Sequence, residues 1–133
     1  MLFGCNDNQI CKVSMKSYHG KYVVGESNGE LNAKRDYLGP GEIWEVTFIG
    51  GDKVHFKGVH GYYLVAESNG DANCNRTAAS SWETFIVEDK GNGKFAFKSY
   101  HGKYLVAESD GAVNANRDYA GTYETFEVVA EGK

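Results

Sequence analysis

The chain has 133 residues, 41% of them apolar and 14% aromatic, a length suited to one domain whose core buries roughly two-thirds of the unfolded surface. Eighteen acidic against fourteen basic residues leave a net charge of −4, which excludes long-range attraction to nucleic acid or to an anionic membrane surface. Seventeen glycines, a single proline (Pro40) and the lack of helix signals point to many short strands joined by tight turns.

Residues 1–10 form a leader whose start, Met-Leu-Phe-Gly-Cys-Asn-Asp-Asn, lacks the basic beginning and apolar run of a signal peptide. No stretch is long and apolar enough to span a bilayer. Cys5, Cys11 and Cys74 cannot all pair within one chain, so free thiols are expected, while a Cys5–Cys11 pair remains open. A reducing compartment and a cytoplasmic location follow by default; a processed extracellular protein would look much the same.

From there the chain repeats. His19-Gly20, His60-Gly61 and His101-Gly102 fall 41 residues apart, as do Glu42, Glu83 and Glu124, so residues 11–51, 52–92 and 93–133 are three ungapped units. A unit this short cannot bury its own apolar face, and the three must share one core. Within a unit the apolar period is two. In the third, Lys94-Phe95-Ala96-Phe97-Lys98, Tyr104-Leu105-Val106-Ala107, Val113-Asn114-Ala115 and Phe126-Glu127-Val128 read as strands. Ser-Asn-Gly at 27–29 and 68–70 and Ser-Asp-Gly at 109–111 mark a hairpin between the second and third strands, because such turns need positive φ.

Three units of four strands predict an all-β chain. Closing them by pseudo-threefold repetition, with a six-stranded barrel capped by three hairpins, predicts a β-trefoil of three 41-residue four-strand repeats in one domain, 1–133. Each repeat is expected to run as an antiparallel meander. The expected core is Val13, Met15, Val23, Trp44, Val46 and Phe48 in the first unit, then Val54, Phe56, Leu64, Phe85 and Val87, then Phe95, Phe97, Leu105, Phe126 and Val128.

No catalytic constellation stands out, and no enzyme activity, metal or cofactor is expected. The three repeated histidines should lie far apart, which suits turns and not one metal site. Arg35, Arg76 and Arg117, each seven residues before its glutamate, read as repeated ion pairs. Glu26, Glu67 and Glu108 read as turn anchors. Lys12 and Lys16, Lys53 and Lys57, and Lys94 and Lys98 stand at the outward ends of the first strands as a basic ring. Glu45 and Glu127 on the neighbouring fourth strands partly neutralise it.

Candidate ligand residues come from where the units differ. In a meander the 1–2 and 3–4 connections share one end, which sets Tyr18, His19 and Lys21 beside Asp36 and Tyr37. The third unit repeats the set as Tyr100, His101, Lys103, Asp118 and Tyr119, whereas the second has Val59, Tyr62, Thr77 and Ala78. Aromatic faces beside a carboxylate and polar donors suit a sugar ring.

The string His-Gly-Lys-Tyr-Leu-Val-Ala-Glu, followed by Asp-Gly-Ala-Val-Asn-Ala-Asn-Arg-Asp and Glu-Thr-Phe-Glu-Val, resembles the repeat of the fascin and hisactophilin group of β-trefoils over residues 12–129. That resemblance implies actin-filament binding and cross-linking, with no actin-contact residue transferable by position. The favoured expectation is a lectin-like module that binds glycans through two or three repeated sites, as a monomer or homodimer, without nucleic acid or membrane insertion. The alternative is a fascin-like protein that binds and bundles F-actin through the lysine ring.

Overall fold

The computed structural model describes residues 2–5 and 11–131, so part of the leader and the last two residues lie outside it. The described residues form twelve strands and four short 3₁₀ turns. In the first unit they are β1 (Cys11–Lys16), β2 (Tyr22–Gly25), β3 (Leu31–Arg35) and β4 (Trp44–Phe48). The second holds β5 (Lys53–Lys57), β6 (Tyr63–Ala66), β7 (Ala72–Arg76) and β8 (Phe85–Gly91). The third holds β9 (Lys94–Ser99), β10 (Tyr104–Ala107), β11 (Val113–Arg117) and β12 (Phe126–Ala130). Among the described residues no helix is long and apolar enough to cross a membrane.

The predicted β-trefoil of four-strand repeats is corrected by the pairing. The structure is a closed antiparallel barrel of six strands, β1, β4, β5, β8, β9 and β12, with six further strands outside it. The four strands of a unit do not run as a meander. In the first, the only strand that β3 pairs with in the sheet is β2, β2 meets β1 through the single pair Lys16–Tyr22, and β4 returns to lie against β1. The cause is the 3₁₀ turn Pro40–Glu42, which redirects the chain after β3 and leaves β1 and β4 each with a second edge that a neighbouring unit fills.

The barrel is closed around inward side chains set by period-two alternation. Trp44, Phe56, Phe85, Phe97 and Phe126 are fully buried, and every expected core residue is buried except Phe48, which packs against the cluster half-buried. Phe3 adds an unforeseen piece. Its ring sits edge-on to Phe95 at 4.9 Å and also meets Phe48 and Phe97, so Phe3 extends the aromatic core of the barrel. Cys5 and Cys11 are bonded to each other, with Cα atoms 5.7 Å apart, which corrects the expectation of free thiols and withdraws that reason for a reducing compartment.

Cys74 remains a free thiol inside the core. Burial pushes its pKa up to about 12, against a smaller opposing effect from its backbone hydrogen bond at Gly58. It stands where the other units have alanine, in a corner reshaped around Trp44. A Cβ on Gly25 would lie 2.6 Å from the Cys74 sulfur and 3.2 Å from the Trp44 ring, so Gly25 replaces the alanine of the other units. The extra volume of one large ring is offset by small neighbours.

At the other end the hairpins β2–β3, β6–β7 and β10–β11 are joined in a ring. The Cys74 amide donates to the Gly29 carbonyl at 2.9 Å, Ala115 to Gly70 at 2.8 Å, and Ala33 to Gly111 at 2.8 Å. Each hairpin is therefore bonded to the one before it, in a closed ring. Gly70 has φ +97, and a Cβ there would stand 2.8 Å from the Asn116 Cβ. Gly61 also has positive φ, +88, but faces open space. Gly61→Ala should therefore cost about 1–2 kcal/mol from backbone strain alone. Gly70→Ala should cost roughly 2 kcal/mol more, because the neighbouring hairpin must move; urea denaturation of the two variants checks the difference.

Candidate functional site

Several recurring residues belong to the framework. Arg76 bonds Glu67 at 2.6 Å and approaches Glu83 at 3.8 Å, and Arg35 and Arg117 repeat this bridge to Glu26 and Glu42 and to Glu108 and Glu124. The buried Glu42, Glu83 and Glu124 accept the amides of Gly39, Ser80 and Gly121 at 2.6–2.7 Å. Glu26 and Glu67 also receive the amides of Asn32 and Asn73 at 2.9 and 3.0 Å. All six glutamates are thus engaged in holding the 3–4 connections.

The turn after the first strand is built the same way in units one and three. The buried Ser17 hydroxyl accepts from the His19 and Lys21 amides at 3.2 and 3.4 Å, and Ser99 does the same for His101 and Lys103. Gly58 takes this place in unit two. The histidines then reach into the neighbouring unit. His19 Nε2 donates to the Ala107 carbonyl at 3.2 Å and its ring meets Tyr123 at 4.4 Å. His101 Nε2 donates to the Ala66 carbonyl at 3.0 Å and meets Trp82 at 4.7 Å.

The expected sets are only partly assembled. Lys21 pairs with Asp36 and Lys103 with Asp118, as the shared end requires. Tyr37 and Tyr119 project 84% exposed. Tyr18 and Tyr100, 63% and 65% exposed, lean instead toward His19 and His101, and Tyr18 also meets Tyr123 at 5.7 Å. Among the described residues no ring contact joins Tyr18 with Tyr37. The histidines are tied into the seam between units, so the exposed tyrosines and the lysine–aspartate pairs are what remains free for a ligand.

Tyr123 and Trp82 were missed by sequence reasoning, although a signal existed. The equivalent position in unit one is Gly41, and the turn that would face it is the one lacking tyrosine, Val59-His60. The aromatic and its Tyr-His partner come and go together.

The lysine ring has a defined order. Cross-strand register sets Glu45 between Lys12 and Lys57, and Glu127 between Lys16 and Lys94. The third equivalent place holds Ile86, 40% exposed, between Lys53 and Lys98. Lys16, Lys57 and Lys98 also stand 5.6–5.8 Å from the ring centroids of Tyr22, Tyr63 and Tyr104.

Two seams between units open into cavities. One, of about 650 Å³, lies where units three and one meet, with Lys90 of unit two also in its lining beside Tyr18, Lys16, Lys94, Thr122 and Glu127 among others. The other, of about 600 Å³, lies between units one and two beside Lys12, Lys57, Glu45, Glu131, Ile43 and Val59. Among the described residues no group of three or more histidine, cysteine or carboxylate side chains could hold a metal ion.

The model of the FRG1-like domain family matches residues 83–133, which comprise the end of unit two and the whole of unit three. That domain is related to the fascin and β-trefoil superfamily, and the match does not single out the fascin and hisactophilin group within it. No curated protein matches the chain.

Framework and free surface should separate by mutation. Glu83→Ala strips acceptors from the Ser80 amide and from Arg76 and is expected to cost about 2–3 kcal/mol. Asp36→Ala removes a solvent-exposed ion pair and should change stability by less than about 1 kcal/mol. Thermal denaturation of the two variants distinguishes these outcomes.

Proposed function

We propose that this chain is a non-catalytic carbohydrate-binding module with two equivalent sites. One is centred on Tyr18, Lys21, Asp36 and Tyr37 and the other on Tyr100, Lys103, Asp118 and Tyr119. The observation that carries the reading is the duplicated set of exposed tyrosines beside a lysine–aspartate pair, present in two units and replaced in the third by Tyr62, Thr77 and Ala78. Burying the apolar face of a sugar against such a ring, while a carboxylate and an ammonium bond its hydroxyls, needs no movement of the barrel. Two sites on one small domain bind a branched glycan weakly one at a time and tightly together.

F-actin binding is the second reading, and Lys53–Ile86–Lys98 favours it. This is the part of the lysine ring without an intervening glutamate, and an apolar residue between two cations suits an acidic protein surface.

A glycan array run beside an F-actin co-sedimentation assay separates the two readings. Binding on the array without pelleting is expected, and pelleting with silence on the array would sink the carbohydrate reading. Tyr37→Ala and Tyr119→Ala should each weaken binding of a monovalent glycan at their own site roughly tenfold, and the double variant should lose the avidity gain of about a hundredfold, with the fold unchanged by circular dichroism.

A further inference from the structure

We propose that the groove between units three and one is the seat of an acidic saccharide, one whose ring carries a carboxylate or a sulfate. The inference rests on the carbohydrate reading and deepens it by naming the ligand class and by extending the first site from Tyr18 into the seam. The cavity, about 650 Å³, has the size of a small-molecule site, roughly 300–1,000 Å³. It brings together the three kinds of group that such a ligand needs. Tyr18 offers a face, supported from behind by Tyr123 at 5.7 Å and otherwise 63% exposed. The exposed Thr122 offers a hydroxyl. Lys16 of β1 and Lys94 of β9 stand opposite Glu127 in cross-strand register and line the groove with it, so two cations are set against one carboxylate without a close ion pair to either. Lys90 adds a third, although Glu88 at 3.5 Å takes up part of its charge.

The molecule contains its own control. The groove between units one and two has the same framework and nearly the same volume, about 600 Å³, yet Lys12 and Lys57 there face two carboxylates, Glu45 and Glu131. Lining charges are three cations less one anion, +2, in the first groove and two less two, zero, in the second. Val59 stands where the first groove has Tyr18, and Ile43 where it has Thr125. One groove therefore carries excess positive charge beside an aromatic ring and threonine hydroxyls, and its counterpart has balanced charges with aliphatic residues at the places of Tyr18 and Thr125. Because the whole chain is acidic, this cationic field is local and acts on a ligand already in the seam.

The test is calorimetric titration of the full chain with tetragalacturonate, with a sulfated galactose tetramer and with the fully methyl-esterified, neutral tetragalacturonate. At least one acidic probe should bind at least tenfold more tightly than the ester, and which one does so distinguishes carboxylate from sulfate. Lys94→Gln, at an exposed position, should weaken the acidic probe roughly tenfold without affecting the ester, and Lys12→Gln in the counterpart groove should change neither. Equal affinity for acidic and neutral probes, or wild-type affinity in Lys94→Gln, overturns the inference and leaves the carbohydrate reading standing. Silence toward all three probes overturns it as well, and silence toward every sugar on a wider array removes the carbohydrate reading too.

Discussion

The three hydrogen bonds from Ala33, Cys74 and Ala115 to the turn glycines of the neighbouring hairpins are the constraint on which the rest of the structure depends. They hold the outer strands in a closed triangle, each hairpin supported by the one before it. With the hairpins fixed, the 1–2 and 3–4 connections of each unit emerge where the framework dictates. The arginine bridges and buried glutamates then secure the second of these, and the histidine contacts secure the first in two of the three units. Glycine stands at all three turns because each has positive φ and because a Cβ there would run into a side chain of the neighbouring hairpin, Asn75, Asn116 or Lys34.

Much of this was legible because repetition averages out local accident. A period of two, repeated in three registers, places Phe56, Phe97 and Met15 in the core without ambiguity, and the glycine turns announce their hairpins. The grouping of strands was not legible in the same way. A repeat in sequence suggests a unit in space, but β1 and β4 each bond a neighbouring repeat as well as each other. Local pattern carries no information about which repeat supplies the second edge. Phe3 escaped for a related reason: its partners Phe95 and Phe48 are remote in sequence, and the leader belongs to no repeat.

Of the contacts expected around the candidate site, one was legible in the sequence and another was not. Reading within one unit brought Lys21 to Asp36, which the structure repeats, and also set Tyr18 beside Tyr37. The tyrosine instead leans across a seam toward Tyr123 of another unit. The seam is where the threefold symmetry breaks down most, with aromatic rings at two of its three copies and glycine at the third. Architecture is threefold, whereas the surface that a ligand would meet is not. This division explains how one small framework can keep its fold while its grooves diverge in charge and shape.

Native-state amide hydrogen exchange tests the closed triangle most directly. If each hairpin supports the next, the amides of Ala33, Cys74 and Ala115 are released only by global unfolding and share one free energy of protection. An opening of any one of them several kcal/mol below the global value, with the other two still protected, would show hairpins that stand independently and would contradict the account.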